Sequence, residues 1–202
     1  MDAFHERLDR VGRCAVRAHG ILERPSEDDD LFTALAAAGQ FPYAVRTAIT
    51  AFAADGLDAD VLVENPGFAR LTVTDPESGR ASKVELGIDW RQHPPTTLAI
   101  GPVLARDDAV ANKVNALYSR GQARDYIDVD AAVLSGGYPR EQLLILAKEH
   151  DPGFEPTLFA EALRAVRRLP TTEFTPYGLD DHAASALVER LLSWAKQIDD
   201  HS

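Results

Sequence analysis

The stretch that decides the reading of this chain is Arg24-Pro25-Ser26-Glu27-Asp28-Asp29-Asp30-Leu31-Phe32. Four acidic residues stand in a row directly before an apolar pair. A short acidic run is ordinarily a solvated turn. It becomes a candidate cation site if the segment is extended, because Asp28 and Asp30 then share one face and Asp29 takes the other. Two carboxylates so placed can share a divalent ion. Magnesium favours oxygen ligands and is commonly held by one or two carboxylates together with substrate phosphates. What the rest of the chain supplies decides between turn and site.

Strand-like pieces follow the acidic run. Ala59–Glu64 is apolar, Phe68–Thr74 alternates, Asp75-Pro76-Glu77-Ser78-Gly79 signals a turn, and Ser82–Trp90 alternates again. In that last piece Val84, Leu86 and Ile88 share one face, and Lys83, Glu85, Gly87 and Asp89 share the other. Glu85 is thus the candidate for a third carboxylate on a strand adjacent to Asp28 and Asp30. Three such carboxylates complete the site of a nucleotidyl-transfer enzyme, in which one ion activates the attacking oxygen and another stabilises the leaving pyrophosphate.

Composition sets the outer bounds. The chain has 202 residues, 45% hydrophobic and 26% charged, as in an ordinary globular protein with one sizeable domain or a core plus a subdomain. Its net charge of −11 argues against broad, non-specific nucleic-acid binding and requires any phosphate-binding cations to be concentrated locally. No apolar run approaches the ~20 residues needed to span a bilayer, so no membrane partner is expected. The sequence MDAFHERLDRVGR lacks the apolar region of a secretory signal. A single cysteine, Cys14, excludes an internal disulfide framework, and a cytoplasmic location is expected. The six histidines show no HExxH or paired-cysteine spacing that would indicate zinc.

Helical periodicity frames these strands. Residues 2–19 read as a helix interrupted by Gly12. From Phe41 to Ala54, Val45, Ala48, Ile49 and Phe52 recur at helical spacing until Asp55-Gly56. Beyond Asp107, a plausible N-cap for a helix to about Arg120, helices are expected near Ala123–Leu134, Arg140–Glu149, Thr157–Leu169 and Asp180–Ile198. The last two carry the stripes Phe159-Leu163-Val166 and Leu187-Leu191-Trp194-Ile198. The organisation expected is a mixed α/β half over residues 1–105 and a helical half over residues 106–202. In the first of the later helices, Lys113 and Arg120 are seven apart and share a face. They form either a solvated face or a short basic stripe meeting a triphosphate. Arg124 and Asp128 make an i,i+4 pair worth a few tenths of a kcal/mol.

Taken together, RPSEDDDLF, Ser82-Lys83-Val84-Glu85-Leu86 and DDAVANKVNALYSRGQARDYIDVDAA resemble the AbiEii/AbiGii-type nucleotidyltransferase toxin family over nearly the whole chain. The lysine followed by Ala-Leu, an arginine and Arg-Asp-x-x-Asp is the most specific part of the match. The resemblance implies an α/β fold with a DNA polymerase β-like nucleotidyltransferase core, followed by a helical domain. It implies NTP and Mg2+ binding, an RNA acceptor in some relatives, and a cognate antitoxin. Carried onto this chain, Asp28 and Asp30 would be metal ligands, and Glu85 the third carboxylate and candidate base. Ser26 would lie in the loop leading to the metal, Lys113 would contact phosphate beside Arg120, and Asp125 would match the aspartate of the Arg-Asp pair.

Two departures from the family pattern generate expectations of their own. Family members place a strand ending in two small residues before the acidic motif. Here Gly12 fits the first of these and Arg13 occupies the second, with little room for the strand. We therefore expect residues 2–19 to be mainly helical, the first strand to be missing and NTP affinity to be weak. Asp29 stands where an apolar residue is usual, and should be exposed on a sheet edge. The alternative these departures raise is a degenerate, non-catalytic member acting as a nucleotide- or protein-binding module.

Overall fold

The computed structural model describes residues 9–10, 13–21, 28–135 and 137–201, and for 9, 10, 13, 14, 28–30, 35 and 36 the backbone only. The chain divides into two compact units, the first carrying the sheet up to Arg106 and the second beginning at Asp107 and taking in the turn at His19.

In the first unit the strands are β1 (Asp9–Arg10), β2 (Asp28–Ala34), β3 (Asp58–Asn65), β4 (Phe68–Thr74), β5 (Ala81–Asp89), β6 (Thr96–Leu98) and β7 (Gly101–Val103). Among the described residues they form one sheet of seven strands in the order β3-β4-β5-β2-β1-β7-β6. β2 runs parallel to β5, and β4 pairs antiparallel with both β3 and β5. The helix α1 (Arg13–Ala18) follows β1, and α2 (Phe41–Ala54) follows a 3-10 turn at Leu35–Gln40. α2 buries Phe41, Ala44, Val45 and Ala48 against Leu31, Ala69, Leu71, Val73, Val84 and Leu86 of the sheet. Val45 and Ala48, marked by helical spacing, and Val84 and Leu86, marked by alternation, are among them, with Ile49, Phe52 and Ile88 partly buried beside them. The turn after β4 forms as its residues require: Asp75 accepts from the Gly79 amide, and Gly79 adopts φ 68.

Two expectations are corrected here. The first strand is present: β1 pairs antiparallel with β2 (Arg10 opposite Leu31) and parallel with β7 (Arg10 opposite Val103). A strand of two residues is too short to leave an alternating pattern in the sequence. Of the expected helix over residues 2–19, α1 forms at Arg13–Ala18, and residues 2–8 lie outside the described part. Consequently β2 is an interior strand, flanked by β1 and β5, not an edge. Asp29 holds register with Val84, and its side-chain exposure lies outside what the structure describes. The strands β6 and β7 were not anticipated, being only three residues each.

The second unit contains α3 (Arg106–Ser119), α4 (Ala123–Leu134), α5 (Arg140–His150), α6 (Pro156–Arg164) and α7 (Asp181–Asp200). Asp180 caps α7 by accepting from the Ala183 amide at 2.8 Å. Both predicted stripes are buried, Phe159, Leu163 and Val166 on one side and Leu187, Leu191, Trp194 and Ile198 on the other. They meet in an edge-to-face contact between Phe159 and Trp194, ring centroids 5.3 Å apart.

Candidate functional site

The parallel register of β2 on β5 sets Asp30 beside Glu85 and Asp28 beside Lys83. Paired residues on adjacent strands share a sheet face about 4.8 Å apart in the backbone. The Asp-x-Asp pair and Glu85 are therefore neighbours at backbone level. This is also the face opposite α2, since the alternate residues Leu31, Val84 and Leu86 are buried in the α2-facing core. Across the other side of β5, Arg70 of β4 is opposite Glu85. Its Nε donates to Glu85 Oε1 at 2.8 Å, and its Nη2 lies 2.6 Å from the same oxygen. The guanidinium also sits 5.6 Å from the centroid of the Phe68 ring. Glu85 is thus held in one orientation by a charge-assisted pair. Sequence reasoning missed Arg70, which follows from hairpin register: its turn was visible but its pairing offset was not.

A second local device shapes this face. The Phe32 ring, two residues beyond Asp30, lies across Gly87. A Cβ built on Gly87 would come within 2.5 Å of the ring, closer than real side-chain contacts allow. Glycine here lets the aromatic ring lie flat on β5 immediately after the acidic pair.

The expected cations of the second unit are arranged differently from a displayed basic stripe. Lys113 is 6% exposed, and its ammonium lies 3.2 Å from Asp128 Oδ2. Arg120 grips Asp125 with both arms, at 3.0 and 2.8 Å, while the same carboxylate accepts from the Gln122 amide at the start of α4. Arg190 does the same for Asp130, at 2.9 and 2.6 Å. The hydrogen bond that Arg190 donates to Asp130 is the main reason its guanidinium is pushed above its ordinary value, more than offsetting burial. α4 therefore presents buried carboxylates at Asp125, Asp128 and Asp130, each answered by a cation, as burial of charge requires. The i,i+4 partner expected for Asp128, Arg124, is not the one it takes: Lys113 on α3 supplies a pair that burial strengthens. Gly12 and Ser26 lie outside the described residues.

A cavity of about 440 Å3 opens at the far end of β2, lined among others by Thr33, Tyr43, Arg91 and His93. Thr33 belongs to the α2-facing parity of β2, opposite to the parity of Asp30 and Glu85 in the backbone register, so this hollow opens on the α2 side of the sheet.

For a metal, the donor set is hard oxygen only, which suits magnesium and excludes the softer nitrogen and sulfur ligands that zinc prefers. Asp28, Asp30 and Glu85 fit such an ion by residue type and register. Among the described side chains, which do not include those of Asp28 and Asp30, no group of three or more metal-binding residues occurs.

A mixed sheet carrying an Asp-x-Asp strand parallel to a carboxylate-bearing strand, with a helical unit following, is the architecture of a nucleotidyltransferase. Solved structures bear this out at the level of the fold. JHP933 from Helicobacter pylori aligns with 99% of this chain and 87% of its own, with TM-score 0.54 and 17% identity. MenT4, a nucleotidyltransferase toxin from Mycobacterium tuberculosis, aligns with 95% of this chain and 76% of its own, with TM-score 0.62 and 18% identity. Over residues 15–197 the sequence matches the family described as nucleotidyl transferase AbiEii toxin of type IV toxin–antitoxin systems, and the chain belongs to that family. A search of curated proteins finds no match. Among the described residues no helix is long and apolar enough to cross a membrane.

Proposed function

We propose that the protein transfers a nucleotidyl group from an NTP to an acceptor hydroxyl, with magnesium held by Asp28, Asp30 and Glu85. The observation that supports this reading is the β2–β5 register, which pairs the backbone of Asp30 with that of Glu85. The acceptor oxygen attacks the α-phosphorus, the α–β bridging bond breaks, and pyrophosphate leaves with the electron pair. A carboxylate of the trio, Glu85 being the candidate, takes the hydroxyl proton. Arg70 orients Glu85 for that task. Bound magnesium would favour the alkoxide and offset the charge growing on pyrophosphate. Lys113, Arg120 and Asp125 remain the NTP-binding candidates of the second unit. Lys113 would act from within its pair with Asp128, which fixes the ammonium.

RNA is the acceptor we favour, and a cognate antitoxin is the expected partner in the cell; both rest on the family. The presence of β1 beside β2 favours catalysis over the degenerate alternative, since it removes one of the departures that motivated the latter. Titration calorimetry with NTP and magnesium tests the reading. Affinity should fall at least tenfold, about 1.4 kcal/mol, in Asp30→Asn and in Glu85→Gln. Equal binding by both variants and the parent chain would move the nucleotide away from these carboxylates.

A further inference from the structure

The far edge of the sheet carries a feature that nucleotidyl transfer does not use. β3 ends the strand order, and of its residues Asp-Ala-Asp-Val-Leu-Val-Glu-Asn all but Ala59 are exposed. Its inner side is paired with β4 along its length, with an irregularity between Val61 and Val63. Its outer side faces no further strand among the described residues, leaving backbone donors and acceptors open to a new partner. At the irregularity three apolar residues stand together: Val61, Leu62 and Val63 are 44%, 55% and 37% exposed. Val61 is opposite Leu71, and Val63 is opposite Arg70. The extra residue therefore turns Val61 to the α2-facing side of the sheet and Val63 to the carboxylate side, with Leu62 between them. An incoming strand would find apolar contacts on both of its faces at one place.

We infer that this edge is a docking strand for an extended, lysine- or arginine-bearing segment of another protein, which adds to the sheet beside β3. The charge of the edge selects the occupant. Asp58, Asp60 and Glu64 flank the apolar triad, and β3 contains no cation. Pairing with a second copy would set these carboxylates against their own counterparts, and like charges facing across strands are destabilising. The chain's net charge of −11 adds to that repulsion. A basic segment meets the opposite situation: main-chain hydrogen bonds and the triad supply affinity, and the three acids supply selection by sign.

The test uses the full chain, labelled for NMR, with synthetic eight-residue probes: one alternating lysine and valine, one alternating glutamate and valine, and an N-methylated copy of the first that cannot form the ladder. The lysine–valine peptide should shift the amides of Asp58–Asn65 and slow their hydrogen exchange at least tenfold. The glutamate and N-methylated peptides should do neither, and Leu62→Lys, at an exposed position, should weaken the first peptide tenfold. Equal binding of the N-methylated peptide would reduce the effect to bulk charge and overturn the proposal. So would perturbations centred away from β3. Protection of the β3 amides that grows with protein concentration and needs no peptide would assign the edge to a second copy instead.

Discussion

At the scale of single residues, the sheet that carries Glu85 depends on a glycine, and the helical unit depends on buried pairs. Gly87 has no room for a methyl under the Phe32 ring. Gly87→Ala should therefore cost about 1–3 kcal/mol in chemical denaturation, the usual penalty of overpacking. Phe32→Ala in the same chain should recover much of it, as expected for residues in direct contact. The Lys113–Asp128 pair makes a sharper case, because burial can serve either structure or function. Asp128→Ala removes the carboxylate of a buried ion pair and should destabilise by about 3–5 kcal/mol. Replacing both partners by apolar residues, Lys113→Met with Asp128→Leu, should return stability to near that of the parent. If the pair matters to NTP binding, that stable double variant will still bind nucleotide more weakly.

At the scale of elements, most of what was legible in the sequence came from periodicity and turn chemistry. β4 runs from Phe68 to Thr74 as its alternation indicated, and α6 and α7 bury the stripes their spacing marked. The acidic run proved to be strand from Asp28 onward. What was not legible was short or non-local. β1 has two residues and is defined only by its neighbours. The pairings of Arg190 with Asp130 and Lys113 with Asp128 join residues on different helices, and no local rule in the sequence nominates them. The joint between α4 and α6 offers a test of its own. The buried Tyr126 hydroxyl donates to the Ala162 carbonyl at 2.9 Å. Desolvation, helped by nearby Asp125, raises the phenol above its ordinary 10.0. A raised value in the folded state stabilises the fold fully below pH 10, and that contribution is lost as pH climbs through the folded value. Urea titrations should show stability falling as pH rises above 10. In Tyr126→Phe, which should cost about 1–2 kcal/mol at neutral pH, this alkaline component of the fall should be absent.

At the scale of the whole molecule, membership of the AbiEii family and the β2–β5 register lead to one claim, that this chain moves a nucleotidyl group. One of the departures that argued for degeneracy, the missing strand, is removed now that β2 lies between β1 and β5. Arg13 at the second small position of the glycine motif, which opens α1, and Asp29 in place of an apolar residue stay as differences. The direct measurement is incubation of the purified protein with α-labelled NTPs, magnesium and total RNA, reading label incorporated into RNA. The parent chain should incorporate label in a magnesium-dependent manner, and folded Asp30→Asn should lose at least a hundredfold of that rate, about 2.7 kcal/mol of barrier. Incorporation that survives in Asp30→Asn, or no incorporation from any NTP by a parent chain shown to be folded, would contradict the account.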